Sequence, residues 1–206
     1  MLGDFIFIFY WWLLLLFLGV LSLPLVNKIF NKFWDKGYVL SKTISILTLS
    51  FIVFIFGRFQ FLPFSRPVLF GLIFLALFLS WSWKTNFLKD SAWTFVRGFQ
   101  PAIEGLEKFM DLGFVNSILR SKWFPPADMW FAGESINYYY FGHLQAAVLT
   151  KLSGLSSAIT YNLMMATLFA MTFSYGFSLI SNLIRAVMPK GGKAKKKVNK
   201  NIILGG

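Results

Sequence analysis

The chain has 206 residues, of which 57% are hydrophobic and 20% aromatic, and only 14% are charged against about 25% in an ordinary globular domain. A water-soluble fold of this length could not cover so much apolar surface, so the bilayer is the expected solvent. The net charge of +12 raises nucleic acid as a partner, but its distribution favours lipid: residues 84–143 hold as many acidic as basic side chains, and the excess lies chiefly in two short stretches, 27–42 and 190–200. Lysine and arginine beside apolar segments mark loops held at the cytoplasmic face. The absence of cysteine excludes disulfides and thiolate metal sites.

In chain order, residues 5–25 carry no charge and match the run of about 20 apolar residues that crosses a bilayer as a helix. Lacking a basic leader and a small-residue cleavage site, this segment reads as a retained anchor. Tyr10, Trp11 and Trp12 lie deeper than an aromatic belt requires, so part of their surface is expected to pack on another helix. Pro24 stands near the end, and a basic connector (27–42) follows. Residues 43–57 are apolar but short for a crossing unless Lys42 and Arg58 snorkel. Pro63, Ser65 and Pro67 mark a turn, and 67–83 is a third span closed by Trp81 and Trp83.

The expected fold class is therefore all-α: a polytopic membrane protein of about four or five membrane helices with one large polar loop. Its expected parts are the helices within 1–83, an exoplasmic loop at 84–143, an interfacial segment and long helix at 144–187, and a cytoplasmic basic tail at 188–206, which looks truncated. One conflict stands out. Three spans between the two basic stretches put them on opposite faces, whereas the charge rule wants both inside. Residues 86–99 are a candidate extra span, made costly by Lys89, Asp90 and Arg97.

The polar loop holds most of the carboxylates. After Pro101, residues 102–120 have helical spacing, with Leu106, Phe109, Met110, Phe114 and Ile118 apolar. Glu104, Glu107, Lys108 and Asp111 share one face. A solvated face explains the Glu104–Lys108 pair but leaves Glu107 and Asp111 as like charges one turn apart, a cost unless a cation or a shared proton relieves it. Such a pair suits a divalent cation such as Mg²⁺ or Mn²⁺, or general-base work. Residues 123–133, with Pro125, Pro126 and Gly133, read as a rigid turn keeping rings at the interface. Asn137, Tyr138, Tyr139, Tyr140 and His143 read either as an interfacial belt or as a hydrogen-bonding wall for a polar ligand. A lone histidine is more often structural than catalytic.

The ordered motifs GLEKFMD, NSILRS, FPPADMWFAG, INYYYFGH, TKLSG and TYNL, together with DKGYVLSK and LPFSRP, resemble the archaeal and bacterial membrane proteins known for a Tyr-Tyr-Tyr motif. That family is distantly similar to the GT-C glycosyltransferases, multi-span enzymes that take sugar from a polyprenyl-phosphate donor. In those enzymes an acidic residue of the first exoplasmic loop acts as base or helps to hold a metal. The resemblance assigns this role to Asp111, with Glu107 beside it. It places Lys108, Arg120 or Lys122, Asp128, Asn137, Tyr138, Tyr139, Tyr140 and His143 around the donor and sugar. Two departures weaken the match: Asp128-Met129-Trp130 replaces the usual Asp-Pro-Trp, and the span that precedes Arg97 and Pro101 in longer members is eroded. A scaffold subunit is the main alternative, and a transporter the third, since the spans carry almost no ionisable residue.

Overall fold

The computed structural model describes residues 2–80 and 108–188. They form six helices: α1 (Leu2–Ile29), α2 (Tyr38–Arg58), α3 (Arg66–Ser80), α4 (Lys108–Arg120), α5 (Phe141–Ser153) and α6 (Ser157–Val187). Among the described residues there is no strand, only an isolated bridge between Ala127 and Ser135. Helices α1, α2 and α6 are long and apolar enough to cross a membrane, and α3 is a shorter apolar helix. Helices satisfy their backbone internally, as hydrocarbon demands. Their outer surfaces are apolar, with Phe5, Phe9, Phe51, Phe74, Phe173 and Leu183 exposed. The fold is a polytopic helical membrane protein.

Two boundaries differ from those read in the sequence. Helix α1 continues through Pro24 to Ile29. Helix α2 begins at Tyr38, not at residue 43, and its 21 residues cross without relying on snorkelling ends. The extra turn forms because its polar residues find partners: Ser41 Oγ donates to the Tyr38 carbonyl at 2.7 Å, and Ser22 Oγ of α1 donates to the Ser41 carbonyl at 2.6 Å. Gly37, at φ 76°, supplies the left-handed residue that ends the connector.

Small and hydroxyl residues hold α1 on α2, as expected where lipid removes the hydrophobic drive between helices. Gly19 leaves room for Ser41 and Lys42, and Ser45 Oγ donates to the Leu18 carbonyl. The deep tryptophan packs as expected: Trp11 is fully buried, and its indole N–H donates to Thr167 Oγ1 of α6 at 3.0 Å.

The connector between α1 and α2 meets the far end of α6. Asn182 Oδ1 accepts the Trp34 N–H at 3.0 Å, Ser178 Oγ donates to Asp35 at 3.0 Å, and the Arg185 guanidinium lies over the Trp34 ring. At the opposite face, the end of α2 and the start of α6 both adjoin α5. The basic connector and the end of α6 thus lie together, and the end of α2 and the start of α6 lie together at the other end of the bundle. The candidate span at 86–99 lies outside the described residues.

Helix α5 positions everything at that opposite face. Leu144, Ala147, Val148 and Leu149 are fully buried. Its first residues meet Phe54 near the end of α2, and its last turn meets the turn that leads into α3. Gly154, at φ 73°, closes it with an N–H to the Thr150 carbonyl at 3.0 Å. A double clasp ties that end to the α2–α3 turn: Lys151 Nζ donates to the Phe64 carbonyl at 2.7 Å, and Arg66 Nε donates to the Lys151 carbonyl at 2.8 Å.

Burial, helped by the neighbouring Arg66 charge, pushes the Lys151 amine down from 10.5 to about 8. In that interval the unfolded chain binds the proton and the folded chain does not, so stability rises with pH. Thermal unfolding in micelles should show the midpoint climbing between pH 8 and 10.5, and the climb should shrink in Lys151→Met.

Candidate functional site

The site is built where α4 packs on the start of α5. Asp111 lies in the first turn of α4, and His143 follows Phe141 and Gly142 at the start of α5. Asp111 Oδ1 and His143 Nε2 are 3.0 Å apart. The other ring nitrogen, Nδ1, is 3.3 Å from the Tyr139 carbonyl, four residues back. A carbonyl only accepts, so Nδ1 carries the hydrogen in that contact. Both ring nitrogens are therefore engaged, one by each oxygen. Both groups are only partly covered, the pair's side chains being 20% exposed for His143 and 35% for Asp111. No other hydrogen bond engages the second oxygen of Asp111 among the described residues.

An aromatic floor adjoins this pair. Phe114, one turn beyond Asp111 on the same face of α4, is buried, with its ring 5.1 Å from the imidazole. It stacks on Tyr138 at 5.6 Å and takes the edge of Trp130 at 6.0 Å. Tyr138 in turn meets Tyr139 at 4.7 Å. Tyr138, Tyr139 and Trp130 remain largely exposed, so rings and carboxylate open onto the same side.

The loop from Ser121 to Tyr140 is held at both ends. Ser117 Oγ of α4 donates to the Ala127 carbonyl, Asp128 N donates to Glu134 O at 2.8 Å, and Ile136 N to Pro126 O at 2.9 Å. Phe124 plugs the loop into the bundle. It is buried against Phe54, Phe64 and Tyr140, and it lies so close to Gly57 that a Cβ there would collide with its ring. The segment read as a turn displaying rings at the interface thus splits into an inserted Phe124 and an exposed Trp130.

The structure brings together some of the expected residues and separates others. Asp111, His143, Tyr138 and Tyr139 converge. Asp128 has a turn to hold: its Oδ1 accepts the N–H groups of Trp130 at 2.8 Å and Phe131 at 3.1 Å. Tyr140 turns inward to the Phe54–Phe124 cluster, where burial raises its phenol pKa despite the nearby Arg58 charge. The three tyrosines therefore serve two places, not one wall. Asn137 is exposed, Lys108 opens α4, and Arg120 ends it on an exposed turn. Glu104 and Glu107 lie outside the described residues. Among the described residues no group of three or more His, Asp or Glu side chains converges as a metal site would require.

The sequence pattern alone did not pair His143 with Asp111, nor single out Phe114 beside them. No periodic signal links positions 32 residues apart. The clue available was compositional: the single histidine in the same loop as most of the carboxylates.

A partly exposed pair of this kind contributes about 0.2–1 kcal/mol. In a double-mutant cycle, Asp111→Asn and His143→Gln should each lower unfolding stability modestly, and the double variant should lose less than their sum. Strict additivity in chemical unfolding would mean that the two side chains do not interact.

A family model described as an uncharacterized membrane protein (DUF2298) matches residues 32–201. Comparisons with curated proteins and with solved structures gave no match. The matched stretch runs from the α1–α2 connector to beyond α6 and includes Asp111, His143 and the aromatic floor. On that coverage the chain belongs to the DUF2298 family of uncharacterized membrane proteins.

Proposed function

We propose that this chain carries the acceptor-activating site of a membrane glycosyltransferase that takes sugar from a polyprenyl-phosphate donor. The observation that carries the reading is the Asp111–His143 pair beside an open aromatic floor. Both imidazole nitrogens are engaged, so the base is the free oxygen of Asp111. His143 holds the other oxygen and fixes the carboxylate's orientation, a positioning role. The resemblance to GT-C enzymes assigns the base to the same residue.

In the reaction, Asp111 accepts the proton of the acceptor hydroxyl as that oxygen attacks the anomeric carbon of the sugar. The bond from that carbon to the phosphate oxygen breaks, and the polyprenyl phosphate leaves with the electron pair. Tyr138 and Trp130 present flat apolar faces with a hydroxyl and an N–H at their rims, which suits a sugar ring. The basic connector and the end of α6 lie away from this site, which, with the positive-inside bias, supports an exoplasmic Asp111.

Two measurements test this. In the full-length protein, Asp111→Asn should cut transfer by about 10²–10⁴ with membrane insertion unchanged, and His143→Gln should cut it less. Transfer at the original rate in Asp111→Asn refutes the assignment. A cysteine placed at Glu134 of this cysteine-free chain should react with an impermeant maleimide added to intact cells. Labelling only after permeabilisation would put the site on the cytoplasmic side and refute the sidedness.

A further inference from the structure

We propose that Arg66 and Lys151 form a receptor for a phosphate group at the bilayer surface, apart from the Asp111–His143 pair and independent of the function proposed above. The two side chains come from different elements: Arg66 opens α3 and Lys151 ends α5. Each is fixed by one neutral acceptor. Lys151 Nζ donates to the Phe64 carbonyl at 2.7 Å and lies 3.7 Å above the centre of the Phe64 ring. Arg66 Nε donates to the Lys151 carbonyl at 2.8 Å, with its guanidinium laid against Gly154, where a Cβ would collide with Nη2.

Those contacts explain how the end of α5 is tied down, and a cation near a helix C-terminus is favourable. They leave two features unaccounted for. Lys151 has three donors and uses one on a hydrogen bond; Arg66 has five and uses one. More tellingly, two cations are held together without a carboxylate partner among the described residues. Asp35 is committed to Ser178 and the Gly37 N–H on the other face, Asp111 to His143, and Asp128 to its own turn. Burial and the Arg66 charge already disfavour the Lys151 ammonium. An anion between them relieves the repulsion and takes up the free donors.

Location identifies the class of anion. The pair lies where the α2–α3 turn meets α5, at the end of the crossing helix α2 and beside the start of α3, which is headgroup depth. Phosphate is the anion that a bilayer presents there. The planar guanidinium offers a fork to two of its oxygens, and the ammonium a point charge to a third. The source is either an anionic lipid headgroup or free phosphate from the aqueous phase, and the position of the two side chains favours the lipid.

The test uses the full chain in nanodiscs of phosphatidylcholine, with phosphatidylglycerol added in one arm and inorganic phosphate in another. Bound lipid is counted by native mass spectrometry. Wild type should retain phosphatidylglycerol, and Lys151→Met and Arg66→Gln should each weaken retention about fivefold, the worth of one basic charge at an anionic surface. Arg66→Lys keeps the charge and loses the fork, so it serves where Arg66→Gln does not fold and should still bind more weakly. Asp111→Asn should bind lipid as wild type does, which keeps this result separable from that of the proposed reaction. Displacement of the lipid by inorganic phosphate at equal concentration identifies free phosphate as the source. Equal retention in wild type, Lys151→Met and Arg66→Lys overturns the proposal.

Discussion

Hydrocarbon offers no hydrogen-bond partner, and most buried polar side chains among the described residues are arranged around that constraint, with Ser50 Oγ and the Tyr175 hydroxyl as exceptions. Backbone groups are satisfied within the long helices. Side chains that would otherwise be stranded in lipid are paired between helices: Trp11 with Thr167, Ser22 and Ser45 with carbonyls across the α1–α2 contact, and Thr150 with Thr160 at 2.7 Å between α5 and α6. These contacts determine which faces of the helices meet, because apolar area alone does not discriminate between a neighbouring helix and lipid.

Helix α5 shows the same constraint acting on a segment too short to cross. It is only 13 residues long, yet much of it is buried, so its ends have to be served by the protein. At the C-terminus Gly154 turns the chain, and Arg66 takes the Lys151 carbonyl. At the N-terminus Tyr140 anchors in the Phe54–Phe124 cluster. Because both ends are pinned, His143 is held on a rigid element facing α4. A catalytic or binding pair needs such support, and here the packing of α5 provides it.

The aromatic content divides by role. Lipid-facing phenylalanines on α1, α2, α3 and α6 form the outer surface. Phe124, Phe54 and Phe64 lock the polar loop to the bundle by filling space left by Gly57. Phe114, Tyr138 and Trp130 form a partly open floor beside Asp111. Residues of one chemical type in one stretch of sequence thus end in three environments. The Tyr138–Tyr140 run illustrates this, with two rings at the exposed floor and the third turned toward the core.

By itself the sequence determined that the chain lives in a membrane, roughly where its long helices run, and that a polar loop holding most of the carboxylates lies between them. Those conclusions rest on composition and on segment length against bilayer thickness, which are local quantities. It also marked Asp111, through an i, i+4 carboxylate pairing that a solvated helix leaves unexplained. Tertiary structure decided the rest. The pairing of Asp111 with His143, the inward turn of Tyr140 and the capping duty of Asp128 depend on contacts that no periodicity encodes. The shared face of the two basic ends did not follow from counting spans. It required seeing that Trp34 and Asp35 meet Ser178, Asn182 and Arg185, because sidedness belongs to the whole path of the chain and not to any one segment.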